Sequence, residues 1–581
     1  MVTIRASART YYSPREITML SKLSRELTVF GVIGLTIGLI MTIVSNLFVI
    51  GVEYGRTFRN GLSYFDIQIG SGTHSLAPFL TLVLAALATI WLKKVMKIKA
   101  WAGPADSIYA AHNPTKELDL KLGYASTAVA FICASGGASV GQYGPLVHFG
   151  ATVGASFKRL LNSGLGQDVW LGCGVAAAIS AGFNAPLAGV IFAHEAILRH
   201  FSLRAIAPIF IASVSANTFD HLLFPGAQAI FVVDEAAPEI QSVVPYLVIF
   251  APALAVIAMS FMSTIRALQK ISEKLNKTPV PSQLYAALFV GAIGFFLPEV
   301  LGIGGFAINN IFSGEYSLQM LFLLLFSKFI ATALCLGLGL FGGIFSPSLF
   351  LGVTAGAIFG QLLIMAGLPQ LSDALSIAGM AAVSAAIVGA PISCIIIVME
   401  LTRSYEYSVI SMLAVIVCSL LCHRMNNGSF FDRQLLNRGI DILSGRDAIL
   451  LAETCIKNFV SLKPLILKRD TTGLEAIALM ESKRLTEAYV CDDVGHLLGK
   501  VTMYSAKDAA SESIYLFMNQ YPLTITDEDS LAVAMNKASN FVGESIPVVN
   551  NQNILLGAMT EGELFKLVLR VQRDARAIEI T

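Results

Sequence analysis

The sequence predicts a polytopic α-helical membrane protein with broken and re-entrant helices, followed by a smaller C-terminal α/β domain. The first observation behind this prediction is composition, because 55% of the 581 residues are hydrophobic and only 14% are charged. Soluble domains carry about 25% charged residues. The second observation is a tract interrupted by glycine and proline that occurs twice. The third is a change to a soluble composition after about residue 425.

The membrane-embedded region is predicted to cover about residues 28–440. Residues 1–27 are polar and basic, and the apolar run at 28–52 is too long for a signal peptide, so it is expected to span the membrane. The later apolar segments are short and broken by glycine and proline. Irregular backbone at membrane depth is tolerated only where protein buries it or where it lines a cavity. The pattern is therefore typical of a transporter or channel.

The distribution of charge and cysteine argues against a nucleic-acid partner and a metal site, and it predicts how the chain is oriented in the membrane. The net charge of +1 indicates no nucleic-acid partner, and none of the eight cysteines forms a CxxC pair, so no metal site is expected. Clusters of basic residues flank apolar segments and favour cytoplasmic N- and C-termini in a multi-pass protein of the lipid bilayer. The four clusters are Arg5–Arg25, Lys93–Lys99, Arg199–Arg204 and Arg266–Lys277.

The repeated tract divides the membrane region into two halves, at about residues 28–225 and 240–440. Gly141–Ala155 matches Gly343–Ala357 in the spacing of its proline, glycines and threonine. A second match follows, since an Ala-Pro step precedes Glu195 in one half and Glu400 in the other by the same nine residues. Repeats of this kind place a binding site between them near the membrane midplane. We expect the two halves to insert with opposite orientation.

Each tract places a Gly-rich turn just before a helix. The first turn of a helix leaves backbone N–H groups without partners, and the helix dipole adds partial positive charge there, so such a turn can bind an anion. The alternative is close packing between helices through small residues. That alternative rests on Gly150, Gly154, Gly352 and Gly356.

Residues 451–581 contain two similar units about 57 residues apart, each with the order strand, helix, strand, turn, strand. In the first, strands are predicted at Leu462–Leu467 and within 487–502, and in the second at Tyr521–Ile525, 545–550 and 555–560. This arrangement resembles a tandem pair of CBS modules, at about 455–510 and 515–572. The resemblance implies a cytoplasmic domain that binds an adenine nucleotide.

The membrane region resembles the CLC family of chloride channels and transporters over about residues 25–440. Gly342-Gly-Ile-Phe-Ser-Pro347 is similar to the family's GxFxP motif, and Gly141-Gln-Tyr-Gly-Pro145 sits where the family has G(K/R)EGP. Phe183-Asn-Ala-Pro-Leu-Ala-Gly189 is similar to the stretch that follows. The resemblance implies an inverted-repeat bundle that forms a homodimer, with one pathway for chloride or other small anions in each subunit.

Carried over residue by residue, the resemblance assigns the central anion contacts to the GxFxP turn, at Gly343, Ile344 and Phe345. The gating glutamate of the family falls on Tyr143, before Gly144, and its inner proton-transfer glutamate falls on Ala196, next to Glu195. A tyrosine side chain brings no carboxylate into the pathway, although its neutral hydroxyl can donate a hydrogen bond to an anion. We expect Tyr143 to act as a gate by rotating its ring.

Two more positions of the pathway depart from the family. The family's serine ligand falls on Trp101, whose indole N–H either donates to the anion or anchors the chain at the membrane interface. The family's tyrosine ligand falls near Phe431, which has no hydroxyl.

These departures predict passive anion flow, with chloride the main ion and no stoichiometric proton exchange. The first alternative is proton-coupled exchange by another route, with Glu195 or Glu400 as the proton carrier. The second is a poorly conducting, nucleotide-responsive membrane sensor. Neither catalytic residues nor a required cofactor are expected, so the sequence does not indicate an enzyme.

Overall fold

The computed structural model describes residues 14–69, 72–113, 116–161, 165–201, 203–225, 237–276, 280–442, 444–460, 464–539 and 541–580. The chain forms two compact units that divide between Arg438 and Gly439. Residues 1–13 of the predicted N-terminal segment, and Lys277 at the end of one basic cluster, lie outside the described residues.

The first unit is almost entirely helical. Its helices are α1 (Pro14–Asn60), α2 (Ala77–Val95), α3 (Pro104–His112), α4 (Leu120–Ser135), α5 (Tyr143–Leu160), α6 (Gln167–Phe183), α7 (Pro186–Phe192), α8 (Leu203–Leu223), α9 (Ile240–Leu275), α10 (Ser282–Phe296), α11 (Gly305–Phe312), α12 (Leu318–Gly337), α13 (Phe345–Met365), α14 (Ser372–Val388), α15 (Pro391–Thr402), α16 (Tyr405–Asn426) and α17 (Phe430–Leu436). A π-helical turn, Ala193–Leu198, continues α7, and a short hairpin joins β1 (Asp66–Ile69) to β2 (Gly72–Ser75).

Seven helices of the described part are long and apolar enough to cross a membrane, and five shorter apolar helices lie among them. The protein is therefore a multi-pass integral membrane protein with broken helices, as the sequence predicts. The apolar segment at 377–400 is one example, because it divides into α14 and α15 at Gly389, whose φ of +81° ends α14. A glycine at the end of a helix takes this left-handed conformation without steric cost.

The glycines of the repeated tract bring helix backbones into contact in both halves. A Cβ atom on Gly150 of α5 would overlap the carbonyl of Gly174 in α6, and one on Gly352 of α13 would overlap the carbonyl of Gly379 in α14. Small residues permit such close approach between membrane helices. The packing alternative for these glycines is thus part of the structure, alongside the Gly-rich turns described below.

The two halves also contact each other through a reciprocal pair of carboxylates. Glu195 accepts hydrogen bonds from the Ile392 N–H at 2.8 Å and from the Ser393 N–H at 2.7 Å, at the start of α15. Glu400, at the end of α15, accepts from the Leu187 and Ala188 N–H groups at the start of α7, at 2.9 and 2.8 Å. Each carboxylate caps the helix of the other half, which requires that the two helices run antiparallel and supports an inverted repeat.

The second unit contains two small mixed sheets of three strands each. Its elements are α18 (Arg446–Glu453), β3 (Ile466–Lys468), α19 (Gly473–Lys483), β4 (Glu487–Cys491), β5 (Leu497–Thr502), α20 (Met503–Ala509), β6 (Ile525–Thr526), α21 (Leu531–Ala538), β7 (Ile546–Val549), β8 (Leu555–Met559) and α22 (Glu561–Ile580). In each sheet the first strand pairs parallel to the second and the second pairs antiparallel to the third. This is consistent with the predicted α/β domain.

The first strand of each sheet is shorter than the sequence predicts. Only Ile466–Lys468 and Ile525–Thr526 pair as strands, whereas the predictions began at Leu462 and Tyr521. Residues 461–463 lie outside the described residues. Pro464 and Pro522 lack a backbone N–H and cannot donate to a ladder, which accounts for the late start.

Candidate functional site

The two Gly-rich turns of the repeat meet directly. The Gly141 N–H donates to the Gly343 carbonyl and the Gly343 N–H donates to the Gly141 carbonyl, both at 2.6 Å, in an antiparallel bridge. A Cβ on Gly141 would lie 2.8 Å from the Ser346 hydroxyl, and one on Gly343 would lie 2.8 Å from the Gly144 nitrogen. Glycine is therefore required at both positions for the turns to cross.

Helices α5 and α13 begin on either side of this crossing. Their N-cap residues, Gln142 and Ile344, make no side-chain hydrogen bond to the first helical turn. Neither N-cap side chain therefore caps the first-turn N–H groups of its helix, and the dipole of each helix places partial positive charge near the crossing.

A cavity of about 260 Å³, here called the inner cavity, brings together most of the predicted pathway positions. Trp101, Gly144, Gly343, Ile344 and Phe431 all line it. Trp101 is 9% exposed, and its indole nitrogen has no hydrogen-bond partner among the residues that the structure describes. A buried N–H without a partner costs free energy, and an acceptor in the cavity would remove that cost.

The inner cavity also carries positive charge. Lys93 and Lys99 contribute to its wall, and no carboxylate does so among the described residues. A neighbouring cavity of about 290 Å³ shares Gln269, Phe430 and Gln434 with it. The charged residues of this neighbouring cavity are Arg266, Glu273, Arg433 and Arg438.

A larger cavity of about 680 Å³, here called the outer cavity, lies on the other side of the crossing. Gln142, Gly182 and Phe183 line it, together with Arg56 and Arg59 near the end of α1. Its wall holds several buried polar atoms that lack protein partners, on Ser45, Gln142, Glu299 and Asn309. Such atoms need hydrogen bonds, and a cavity of this size and polarity accommodates water.

Tyr143 lines neither cavity, but the residue before it, Gln142, lines the outer one and the residue after it, Gly144, lines the inner one. Its ring stacks on Phe183 at a centroid distance of 3.7 Å and an interplanar angle of 12°, and meets Phe345 edge-on at 5.6 Å. Its hydroxyl donates to the Gly182 carbonyl at 3.2 Å. Tyr143 is 3% exposed, so its ring is enclosed in this aromatic contact.

Glu195 and Ala196 lie away from this contact. Ala196 is buried, and Glu195 is fully used as the cap of α15, where it also accepts from the Ser393 hydroxyl at 2.6 Å. Neither residue lines the inner or the outer cavity. Glu400 lines a separate cavity of about 310 Å³ with His221 and Arg403.

Sequence reasoning missed Arg59, Phe183 as the stacking partner of Tyr143, and the reciprocal caps. A single arginine near the end of a long apolar helix was a signal for Arg59. The caps had a signal too, because Glu195 and Glu400 follow matching Ala-Pro steps, but nothing in the sequence pairs either one with the opposite half.

Residues 81–423 match the voltage gated chloride channel family. The H(+)/Cl(-) exchange transporter ClcA of Vibrio vulnificus is 29% identical over 315 residues, which cover 52% of this chain and 67% of that protein. The crystal structure of a slow cyanobacterial Cl-/H+ antiporter is 21% identical, with a TM-score of 0.61 over 71% of this chain and 97% of the other. A eukaryotic CLC transporter structure is 17% identical, with a TM-score of 0.60 over 93% of this chain and 98% of the other. Since the family match covers more than half of the sequence, the chain belongs to the voltage-gated chloride channel (CLC) family.

Proposed function

We propose that this CLC protein moves chloride, or another small anion, passively down its gradient and without stoichiometric proton exchange. Anion transport follows from the family, which is not enzymatic. The observation that carries the absence of coupling is Tyr143, a buried phenol whose neighbours Gln142 and Gly144 line the outer and the inner cavity. Coupling requires a group that takes up a proton and also meets the anion, and a phenol does not ionise near neutral pH.

The surroundings of the inner cavity support an anion as the transported species. Lys93 and Lys99 in its wall, and three arginines against one glutamate in the neighbouring cavity, give an excess of positive charge. A cleft lined by one sign of charge raises the local concentration of the opposite ion. The proposed anion donors are the Ile344 amide and the Trp101 indole N–H, on residues that line the cavity with Gly343 and Phe431, and the Phe345 amide directly after Ile344.

Proton-coupled exchange is the second candidate, because ClcA of Vibrio vulnificus and the cyanobacterial protein are named as exchangers. It would need Glu195 or Glu400 as the proton carrier. Both carboxylates accept backbone hydrogen bonds at helix N-termini. Neither carboxylate lines the inner or the outer cavity, so neither is placed to meet the anion there, and passive flow is the better-supported proposal.

Chloride efflux from liposomes that contain the purified chain tests the proposal. Uncoupled chloride movement is electrogenic, so efflux should be slow until valinomycin lets potassium balance the charge. The variant Tyr143→Glu restores a carboxylate at this position and should introduce proton movement that the wild type lacks. Absence of efflux with valinomycin present would reject transport and leave the membrane sensor as the remaining function.

The further proposals concern assembly and the C-terminal unit. We propose a homodimer, as the resemblance to the family implies. We propose also that both termini lie in the cytoplasm, since the four basic clusters would then share that side. We propose also that the C-terminal unit is a CBS pair that binds an adenine nucleotide. Its two sheets have the same topology and contact each other through Tyr489, whose hydroxyl lies 2.7 Å from the Ser545 hydroxyl. Calorimetric titration of the full chain with ATP tests this proposal.

A further inference from the structure

Arg433 of α17 is a cation without a partner. Its guanidinium forms no hydrogen bond and no ion pair with the residues that the structure describes, and its Nε atom is buried. It lies in the wall of the neighbouring cavity of about 290 Å³. A guanidinium has five N–H donors, and a buried donor without an acceptor costs free energy. The side chain therefore lacks an acceptor that a ligand would supply.

Arg266 of α9 is a second unpaired cation of this wall. Its guanidinium donates to the side-chain oxygen of Asn426 at 2.7 Å and to the Ser263 hydroxyl at 3.0 Å, and it forms no ion pair within the described part of the chain. Asn426 is 5% exposed, and its amide nitrogen donates to the Met262 sulfur, a weak acceptor, at 3.5 Å. Two guanidinium groups and a buried amide thus line one cavity with donors to spare.

The other charged residues of the wall leave the cavity positive. Arg438 pairs with Asp106, which does not line the cavity. Glu273 is the carboxylate of the wall and forms no ion pair among the described residues. With Arg438 neutralised by Asp106, two unpaired guanidinium groups oppose one carboxylate, so the charge favours an anion. Like charges that share a wall repel each other, and a ligand with more than one negative charge removes that repulsion.

The neighbouring cavity lies beside the proposed anion path, at the charged end of α9. None of the described residues that line it belongs to the repeated Gly-rich tracts. Helix α9 has 36 residues, which extend about 54 Å, whereas the hydrocarbon core of a membrane is about 30 Å thick. Its last part, from Arg266 onwards, is charged and is expected at the membrane surface. Phosphate groups of lipids and soluble phosphates both reach that level.

We propose that the neighbouring cavity binds a phosphate group, carried either by an anionic lipid or by a soluble phosphate. A phosphate monoester offers three acceptor oxygens and carries up to two negative charges near neutral pH. Arginine binds such a group through two parallel hydrogen bonds. Arg433 and Arg266 supply these bonds, and the Asn426 amide supplies a further donor. The site is separate from the proposed anion donors, so the proposal stands whether or not the chain conducts chloride.

The alternative is that Arg433 only contributes to a positive surface at this end of the helices, and the choice of variants separates the two roles. Arg433→Gln removes one charge from the cavity and, because Arg433 has no partner in the described structure, should fold normally. Arg424→Gln removes the same charge from the exposed last turn of α16, outside the cavity wall, and is the matched control. Glu273→Gln changes the charge of the wall in the opposite direction.

Calorimetric titration of the purified full chain with inorganic phosphate, at constant chloride concentration and ionic strength, is the first test. We expect Arg433→Gln to weaken phosphate binding by about tenfold or more, since hydrogen bonds between charged groups are among the stronger ones. Arg424→Gln should change the binding by less than about threefold, and Glu273→Gln should strengthen it by about threefold. Equal binding by Arg433→Gln and the wild type, or equal losses in Arg433→Gln and Arg424→Gln, would overturn the proposal.

Phosphatidic acid, a lipid with a phosphate monoester headgroup, is the second probe. Its binding to the detergent-solubilised full chain is counted by native mass spectrometry against phosphatidylcholine. If the chain prefers phosphatidic acid and Arg433→Gln loses the preference, a lipid supplies the phosphate group. If only inorganic phosphate depends on Arg433, the source is soluble, and if neither probe depends on it, the proposal is wrong. Glu273→Gln keeps the test decisive if Arg433→Gln does not fold, because it leaves both arginines intact and unchanged binding of both probes would reject the site.

Discussion

Replacement of Tyr143 by phenylalanine should open the pathway more often. The change removes the hydrogen bond from the hydroxyl to the Gly182 carbonyl, which is 3.2 Å long, and keeps the stack on Phe183 and the edge contact with Phe345. A neutral hydrogen bond contributes about 0.5–1.5 kcal/mol net. If rotation of the ring limits the flux, Tyr143→Phe should therefore raise it about two- to tenfold.

Truncation to Tyr143→Ala extends the same calculation. It removes the hydrogen bond and both ring contacts, and each aromatic contact is worth about 0.5–1.5 kcal/mol. The total of about 1.5–4.5 kcal/mol would raise the open population by roughly tenfold or more, until another step limits the flux.

The assay is valinomycin-dependent chloride efflux at matched protein density, with Tyr124→Phe as the control. Tyr124 also contributes one hydroxyl hydrogen bond, 2.7 Å to Ser156, but it is 40% exposed and lines neither cavity. The control should leave efflux unchanged. If Tyr143→Phe and Tyr143→Ala fold normally and conduct no faster than the wild type, Tyr143 is not the gate.

Three further predictions concern other parts of the chain. Trp101→Phe should weaken chloride binding at the inner cavity, measured by calorimetry, by about five- to tenfold, because it removes an unpaired indole donor. The control is Trp91→Phe, which should leave this binding unchanged because Trp91 is 62% exposed. Glu195→Ala and Glu400→Ala should each lower the stability of the detergent-solubilised protein by about 1–3 kcal/mol, since each removes a helix cap. Equal melting temperatures for the variants and the wild type would refute the capping role. For Asp529, burial raises the pKa of the carboxyl but hydrogen bonds from a lysine and a backbone N–H outweigh it and hold the pKa below its usual value of about 3.9. Its contribution to stability is therefore complete above about pH 4 and is lost as the pH falls through the lowered pKa. The protection of the α21 amides, measured as exchange relative to the intrinsic rate at each pH, should therefore fall at low pH more in the wild type than in Asp529→Asn.

The repeated tract made much of the membrane fold predictable. Glycine and proline mark the ends of broken helices by their backbone properties, so the starts of α5 and α13, and the later Ala-Pro starts, could be read from spacing alone. The spacing did not specify the contact between the two tracts, which the structure shows as an antiparallel bridge of Gly141 with Gly343.

Contacts between distant residues were not predictable in this way. The partner of Glu195 lies 197 residues further along the chain, and the carbonyl that Arg59 contacts lies 76 residues away. Periodicity reports which face of a helix is apolar, but it does not identify the residue that packs on a polar side chain. The Phe183 ring under Tyr143 likewise depends on how α6 packs beside α5, and this packing is set by the contact of Gly150 with Gly174.

The most direct test of the account is whether a chloride gradient drives net movement of protons across the membrane. Liposomes that contain the purified chain are given a chloride gradient and no proton gradient, and the external pH is followed with valinomycin present to allow chloride flux. The account predicts rapid chloride movement with no change in external pH beyond that of protein-free liposomes. Proton movement in a fixed ratio to chloride would contradict it, because coupling would then exist without a carboxylate at the position of Tyr143.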